Sequence, residues 1–248
     1  MGLEGRVALV TGAGGRGMGR SIALTLARDG ADIVVNYRRT LERAEATAAA
    51  IRGLGREALV AQADVSDPAD VDAMVASTIE TYGHLDIVVS SAGGPWKPQD
   101  ITEIAPAHLR LVLAAEIEAT YYLLRATLPG MRERRWGRFV SIGGHMAEDW
   151  RFGPPDAPLD YPLGKAARHW ITRAIAPRES PHGITINAVA PGPTRRFGPD
   201  EAVAALDADR AEDGNTPQDV AELVAFLCSD AAERVTGAVI PVPGHRPV

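Results

Sequence analysis

The sequence predicts an α/β fold, a doubly wound, mostly parallel sheet of about seven strands with helices on both faces. Short apolar runs rich in β-branched residues alternate with helix-period segments from one end of the 248-residue chain to the other. Such near-continuous apolar strands belong to parallel sheets covered on both sides. A third observation is the place of the glycines: a dense cluster, Gly12 to Gly19, falls between the first apolar run and the first helix.

Taken in order, Arg6–Thr11 is too short for a helix and β-branched, hence a buried strand. Met18–Asp29 carries Ile22, Leu24 and Leu26 and stops at Gly30, a helix C-terminal signal. Ile33–Tyr37 reads as the second strand, Leu41–Leu54 as an Ala-rich helix closed by Gly55, and Ala58–Ala63 as the third strand. Asp67 caps a helix over Pro68–Tyr82, with Pro68 at its first position. Leu85–Ser90 is the fourth strand, and one long helix is expected from Pro106 to about Leu128. Arg138–Ile142, Ile184–Val189 and Ala238–Val242 complete the strands, with helices expected over Leu163–Arg178 and Pro217–Ser229. The whole chain, 1–248, fits one domain of this kind. Loops at 94–100, 147–160 and 193–214 are long enough to suspect function.

Composition excludes several classes. With 26 Lys and Arg against 32 Asp and Glu, the chain lacks the basic balance of a nucleic-acid binder. No apolar run approaches the ~18 residues of a membrane span, and the start, Met1-Gly2-Leu3-Glu4-Gly5-Arg6, has no apolar leader. A lone cysteine, Cys228, forbids an internal disulfide and suits a reducing compartment. The expectation is a cytoplasmic protein with a small-molecule substrate and no membrane or nucleic-acid partner.

Thr11-Gly12-Ala13-Gly14-Gly15-Arg16-Gly17-Met18-Gly19 joins a strand to a helix. A glycine-rich turn there lets backbone approach a pyrophosphate, while the helix N-terminus supplies N–H groups and positive potential. This segment resembles the cofactor loop of the short-chain dehydrogenase/reductase family, a Rossmann-type fold. The likeness runs through nearly the whole chain: Asp64 and Val65 after strand three, Ser90-Ser91-Ala92-Gly93 after strand four, Tyr161-Pro162-Leu163-Gly164-Lys165, and Asn187-Ala188-Val189-Ala190-Pro191-Gly192. The resemblance implies a nicotinamide cofactor held by Gly12, Arg16, Gly17, Met18, Gly19, Asp64, Val65, Ala92, Gly93, Tyr161, Lys165, Pro191 and Gly192. Thr194 resembles the family's nicotinamide-amide contact only loosely, since that Thr is usually two residues later. Four residues separate Gly12 from Gly17, where the family usually has three. An NAD-preferring fold places a carboxylate after strand two, and Val35-Asn36-Tyr37-Arg38-Arg39 has none. Arg16 and Arg38 or Arg39 could instead pair with a 2′-phosphate, which favours NADP over NAD.

Tyr161 and Lys165 are four apart, so they share one helix face. The resemblance makes Tyr161 the proton donor or acceptor, with Lys165 lowering its pKa; a phenol near pKa 10 needs a neighbouring cation to work near pH 7. Two other expected members are missing. Gly144, beside Gly143, stands where the family has a Ser, and Glu116 stands where it has an Asn. Losing one donor to a developing oxyanion costs about 10²–10³ in rate. His145, an activated or imine substrate, or a polar group on the substrate could compensate. Glu116 could hold Lys165, act as a general base, or be a solvated helix residue. Two readings therefore stand: an NADP(H)-dependent oxidoreductase of the short-chain type, or a dinucleotide-binding relative that is catalytically degenerate or does non-redox proton transfer. Trp96, Trp150, Phe152 and Phe197 fall in loops and suit a pocket lined by aromatics. Arg195 and Arg196 could meet an anionic group or face solvent, and the family commonly forms homodimers or homotetramers.

Overall fold

A computed structural model describes residues 2–15, 17–145, 147, 158–208 and 215–244. Seven parallel strands form one sheet in the order β3-β2-β1-β4-β5-β6-β7. They are β1 (Val7–Val10), β2 (Asp32–Tyr37), β3 (Ala58–Gln62), β4 (Ile87–Ser90), β5 (Gly137–Ile142), β6 (Ile184–Pro191) and β7 (Val239–Val242). The central four are buried along their whole length, which is why they read as unbroken apolar runs and not as alternating ones.

Helices cover both faces. On one side α1 (Met18–Arg28) and α2 (Leu41–Gly53) pack with the later helix α8 (Pro217–Cys228) over Ala8, Val10, Ile33, Val35, Val140 and Ile142. On the other, α3 (Pro68–Tyr82), α5 (Ala119–Arg134) and α6 (Asp160–Glu179) cover Val7, Leu9, Val88, Phe139 and Ile186. Alternate residues of each strand thus feed opposite cores. Between β1 and β4 the chain order reverses, and in open α/β sheets ligands bind outside the carboxyl ends of the strands at that point.

Three expected elements differ. The long helix predicted from Pro106 is α4 (Pro106–Leu113), then a π-helical turn (Ala114–Glu118), then α5, which continues to Arg134. A π turn inserts one residue into a helical turn, shifting the phase of the hydrophobic pattern without breaking the helix. Helix α6 begins at Asp160, not Leu163, because buried Asp160 accepts the Tyr161 backbone N–H at 2.9 Å and lies 3.4 Å from His108 Nε2. The loose segment after Pro191 contains a short helix, α7 (Pro199–Ala204). The Ala147–Asp160 loop falls mostly outside the described residues, with Trp150 and Phe152, as do Arg16 and the end of the 193–214 loop.

Candidate active site

Two lines of residues converge above the carboxyl ends of β1, β4 and β5. The first is the crevice at the switch point. Thr11 Oγ1 accepts the N–H groups of Ser91 and Ala92, both at 2.9 Å, tying the β1 turn to the segment after β4. Gly12 has a left-handed φ of 69°, and a Cβ there would come within 3.3 Å of the Ala92 Cα; only glycine adopts this turn without strain. Asn36 Oδ1 accepts the Gly12 N–H at 3.1 Å, while its Nδ2 donates to the carbonyl of Ala63 at 3.2 Å. Asn36 is thus a strut inside the sheet edge, not a ligand-facing group. Beside this turn, Gly17 caps α1 without a side-chain hydrogen bond, no acidic residue lies in the first turn, and a Cβ on Gly17 would meet nothing within 4 Å. An open, uncapped helix N-terminus of this kind fits a pyrophosphate.

The second line comes from α6 and the π turn. Lys165 is buried; its Nζ donates to the Ile142 carbonyl at 3.1 Å and lies 5.2 Å from the centre of the Tyr161 ring. Glu116, fully buried, reaches the same ammonium with Oε2 at 3.1 Å, and its Oε1 accepts the Gly94 N–H at 2.8 Å. Arg168, one helical turn beyond Lys165, places Nε 2.7 Å from the same Oε2. Room for this cluster comes from small neighbours. A Cβ on Gly164 would sit 2.6 Å from the Glu116 Cβ, and one on Gly93 would sit 2.5 Å from Glu116 Oε1 and 3.2 Å from Lys165 Nζ. Glu116 is therefore an ion-paired interior group and not a solvated helix residue.

Electrostatics follow from this packing. Burial alone would raise the Glu116 carboxyl; the cations of Arg168 and Lys165 and the Gly94 N–H outweigh it and hold the group below its usual range. Burial pushes the Lys165 ammonium down to about 8, with Glu116 opposing. Burial and then Glu116 push the Tyr161 phenol up to about 12, with Arg168 and Arg196 pulling the other way. The direction at Tyr161 is opposite to the lowering that the family resemblance implies for it, because in this arrangement burial is the largest influence.

Above the cluster, Trp96 packs edge-on against Tyr161, with ring centres 5.1 Å apart. Gly143 and Gly144 close β5. The buried His169 ring, one turn after Lys165 on α6, occupies the space that a side chain at 143 would need, and its Nε2 accepts the Gly144 N–H at 3.4 Å. His145 is half-buried, and its backbone N–H donates to the Pro191 carbonyl at 2.9 Å.

Comparison with known proteins decides the lineage. Residues 12–244 match the family model described as enoyl-(acyl carrier protein) reductase. The chain belongs to the short-chain dehydrogenase/reductase family. A cyclohexanol dehydrogenase of a Rhodococcus species is 36% identical over 267 aligned positions, covering 98% of this chain and 96% of its own length. A 3-oxoacyl-[acyl-carrier-protein] reductase of Staphylococcus aureus is 32% identical, with 96% of each chain covered. Among solved structures, a 7α-hydroxysteroid dehydrogenase bound to NADH and 7-oxo glycochenodeoxycholic acid superposes with a TM-score of 0.84 at 27% identity, over 98% of this chain and 94% of that one.

Within this short-chain dehydrogenase/reductase frame the remaining sequence-predicted residues sit along the sheet edge. Asp64 follows β3, accepts hydrogen bonds from Ser66, and lies 3.3 Å from the Arg38 guanidinium. Burial opposes ionisation of Asp64, but Ser66 and Arg38 outweigh it and hold the carboxyl below its usual range. Val65 and Met18 pack into the two cores. Pro191 ends β6, the Gly192 N–H donates to the Val242 carbonyl at 2.9 Å, and Thr194 Oγ1 donates to the Gly192 carbonyl at 2.8 Å. Phe197 packs against the α1–α8 core and stays partly exposed. Sequence reasoning missed Arg168 and His169. Their only signal was spacing, three and four residues after Lys165 on one helix face. Among the described residues no cluster of three His, Cys, Asp or Glu could hold a metal ion, and no helix is long and apolar enough to cross a membrane.

Proposed function

We propose that this chain is an NADP(H)-dependent oxidoreductase of the short-chain type, acting on a carbonyl or alcohol, or an imine, with Tyr161 as proton donor or acceptor and Lys165 assisting. The observation that carries this reading is the Tyr161–Lys165 pair, set beside the open N-terminus of α1 at the switch point of the sheet. The glycine turn, the uncapped α1 and the segment after β4 would hold the dinucleotide, with Pro191, Gly192 and Thr194 at the far side. When bound, the nicotinamide supplies or accepts the hydride. Tyr161 meets the substrate oxygen and exchanges one proton with it. Lys165, anchored on the Ile142 carbonyl and on Glu116, keeps a cation behind the phenol. Trp96, packed edge-on against Tyr161, would meet a substrate that reaches the phenol. Preference for NADP(H) over NAD(H) is supported by Asn36 being turned inward and by Arg38 and Arg39 standing exposed at the end of β2.

A second reading, dinucleotide binding without ordinary redox turnover, is favoured by Gly143 and Gly144, neither of which can present a hydroxyl. The test is fluorescence titration with NADPH and NADH, followed by turnover on cyclohexanol, cyclohexanone and a panel of ketones and imines. NADPH binding about tenfold tighter than NADH, the scale of one charge-assisted contact, is expected. Tyr161→Phe should lower turnover by about 10²–10⁴-fold while leaving cofactor binding intact. Tight binding with no turnover on any substrate would favour the second reading. The assembly is proposed to be a homodimer or homotetramer working on a small molecule in the cytoplasm.

A further inference from the structure

Arg168 has no role in the reading above, yet it is one of the largest side chains to be fully buried. Its Nε lies 2.7 Å from Glu116 Oε2 and donates to the Glu116 carbonyl at 3.2 Å. Nη1 donates to the carbonyls of Ser90 at 2.7 Å and Ile142 at 3.3 Å, and Nη2 to those of Ala92 at 2.5 Å and Ala115 at 3.1 Å. A guanidinium has five N–H donors in a fixed fork. Here the fork ties the ends of β4 and β5, the segment after β4 and the π turn into one unit. No face is left for a substrate, so Arg168 acts through its neighbours.

Charge shows what that action is. Glu116, Lys165 and Arg168 form a buried cluster of one negative and two positive charges. With Arg168 the net charge behind Tyr161 is one positive. A Glu116–Lys165 pair alone would be neutral, and the resemblance places an uncharged Asn at position 116, where no second cation is needed. Screening is weak in such a water-excluded site, so the difference is felt at the phenol.

We propose that Arg168 is a positioning residue of this site: it takes up the charge of Glu116, so that Lys165 stays anchored behind Tyr161 and the cluster keeps one net positive charge. This rests on the oxidoreductase reading for its catalytic consequence, but not for its electrostatic one. The shifts at Tyr161, raised by Glu116 and lowered by Arg168, agree in sign. The charged groups acting on the phenol are Glu116 from the π turn, Arg168 from α6 and Arg196 beyond β6, with Lys165 Nζ 5.2 Å from the ring centre. Other titratable groups on the packed elements are His108 of α4 with Asp160, His145 after β5, and His169.

The test compares the wild type with Arg168→Met, Glu116→Gln, Arg168→Lys and the double variant Glu116→Gln/Arg168→Met. Relative to the wild type, these change the charge of the cluster by minus one, plus one, zero and zero. Tyr161 ionisation is followed by NMR of 13C-labelled tyrosine, assigned through Tyr161→Phe, which needs no substrate. The expected order is Arg168→Met highest, Glu116→Gln lowest, and the other three together between them, with steps of about one pH unit. The pH profile of cyclohexanol oxidation should move in the same order. If Arg168 were merely structural, Arg168→Met would melt earlier while all titrations superposed; that result overturns the proposal. Should Arg168→Met fail to fold, the double variant decides: return to the wild-type titration supports the proposal, and coincidence with Glu116→Gln refutes it. Absence of turnover in the wild type with the NMR order intact removes the oxidoreductase reading and leaves the assignment of Arg168 standing.

Discussion

Burial and the Glu116 carboxylate push the Tyr161 phenol up to about 12, so the side chain holds its proton across the neutral range. The sign of the pH dependence follows. Carbonyl reduction needs the protonated phenol and the charged Lys165, so it should stay level below about pH 7 and fall as the Lys165 ammonium titrates near about 8. Alcohol oxidation needs the phenolate and should climb with pH up to that point. Initial rates in both directions, at saturating cofactor, check this; reduction that fell away below about pH 7 would contradict it. Space is the second residue-scale constraint. Gly164→Ala would press a methyl against the Glu116 Cβ at 2.6 Å, and overpacking of that kind costs about 1–3 kcal/mol. Denaturant unfolding should show the loss, together with reduced turnover, because Glu116 holds Lys165 through the displaced atoms. Tyr161 and Lys165 were legible from their four-residue spacing within a recognisable frame. Arg168 was not, since a lone arginine on a helix looks the same in sequence whether it faces water or a buried carboxylate.

Helix ends and helix irregularities carry the site. The N-terminus of α1 is open: Gly17 has no side-chain cap and a Cβ there meets nothing. Gly17→Ala should therefore leave the melting temperature within about 2–4 °C of wild type, as a cap change of up to about 1 kcal/mol implies. It should nevertheless weaken NADPH binding at least tenfold, because the methyl stands where a pyrophosphate would approach; calorimetry and fluorescence titration separate the two effects. A matching loss of stability and binding would mean that the glycine serves the fold. The π turn is the other such feature. It brings Glu116 to the ends of β4 and β5, and the sequence suggested only one uninterrupted helix. Helix α7 was missed for a related reason: six residues starting at a proline give too short a pattern to separate from a loop.

At the scale of the molecule, the sheet order places the crevice and the α6 cluster on one edge, since the reversal between β1 and β4 brings both lines of residues together. The outward surfaces of α5 and α6 keep large side chains exposed, with Trp170 71% and Tyr121 57% accessible. If these helices form the proposed subunit contact, Trp170→Glu should shift the protein toward monomers in light scattering while its secondary structure stays intact. An unchanged assembly would place the contact elsewhere.

Local chemistry was enough to determine the strands, most of the helices, the glycine turn and the placing of Tyr161 and Lys165 on one helix face; the resemblance singled that pair out. Apolar runs, caps and fixed spacings act between residues near in sequence, and they leave their mark there. Only the tertiary structure decided the partners of Glu116. Its contacts with Gly94, Lys165 and Arg168 span 22, 49 and 52 positions of chain. Whether a charge at the end of such a span is solvated or paired depends on packing that no local pattern encodes. The same holds for His169, whose ring fills the space left by Gly143 twenty-six residues earlier.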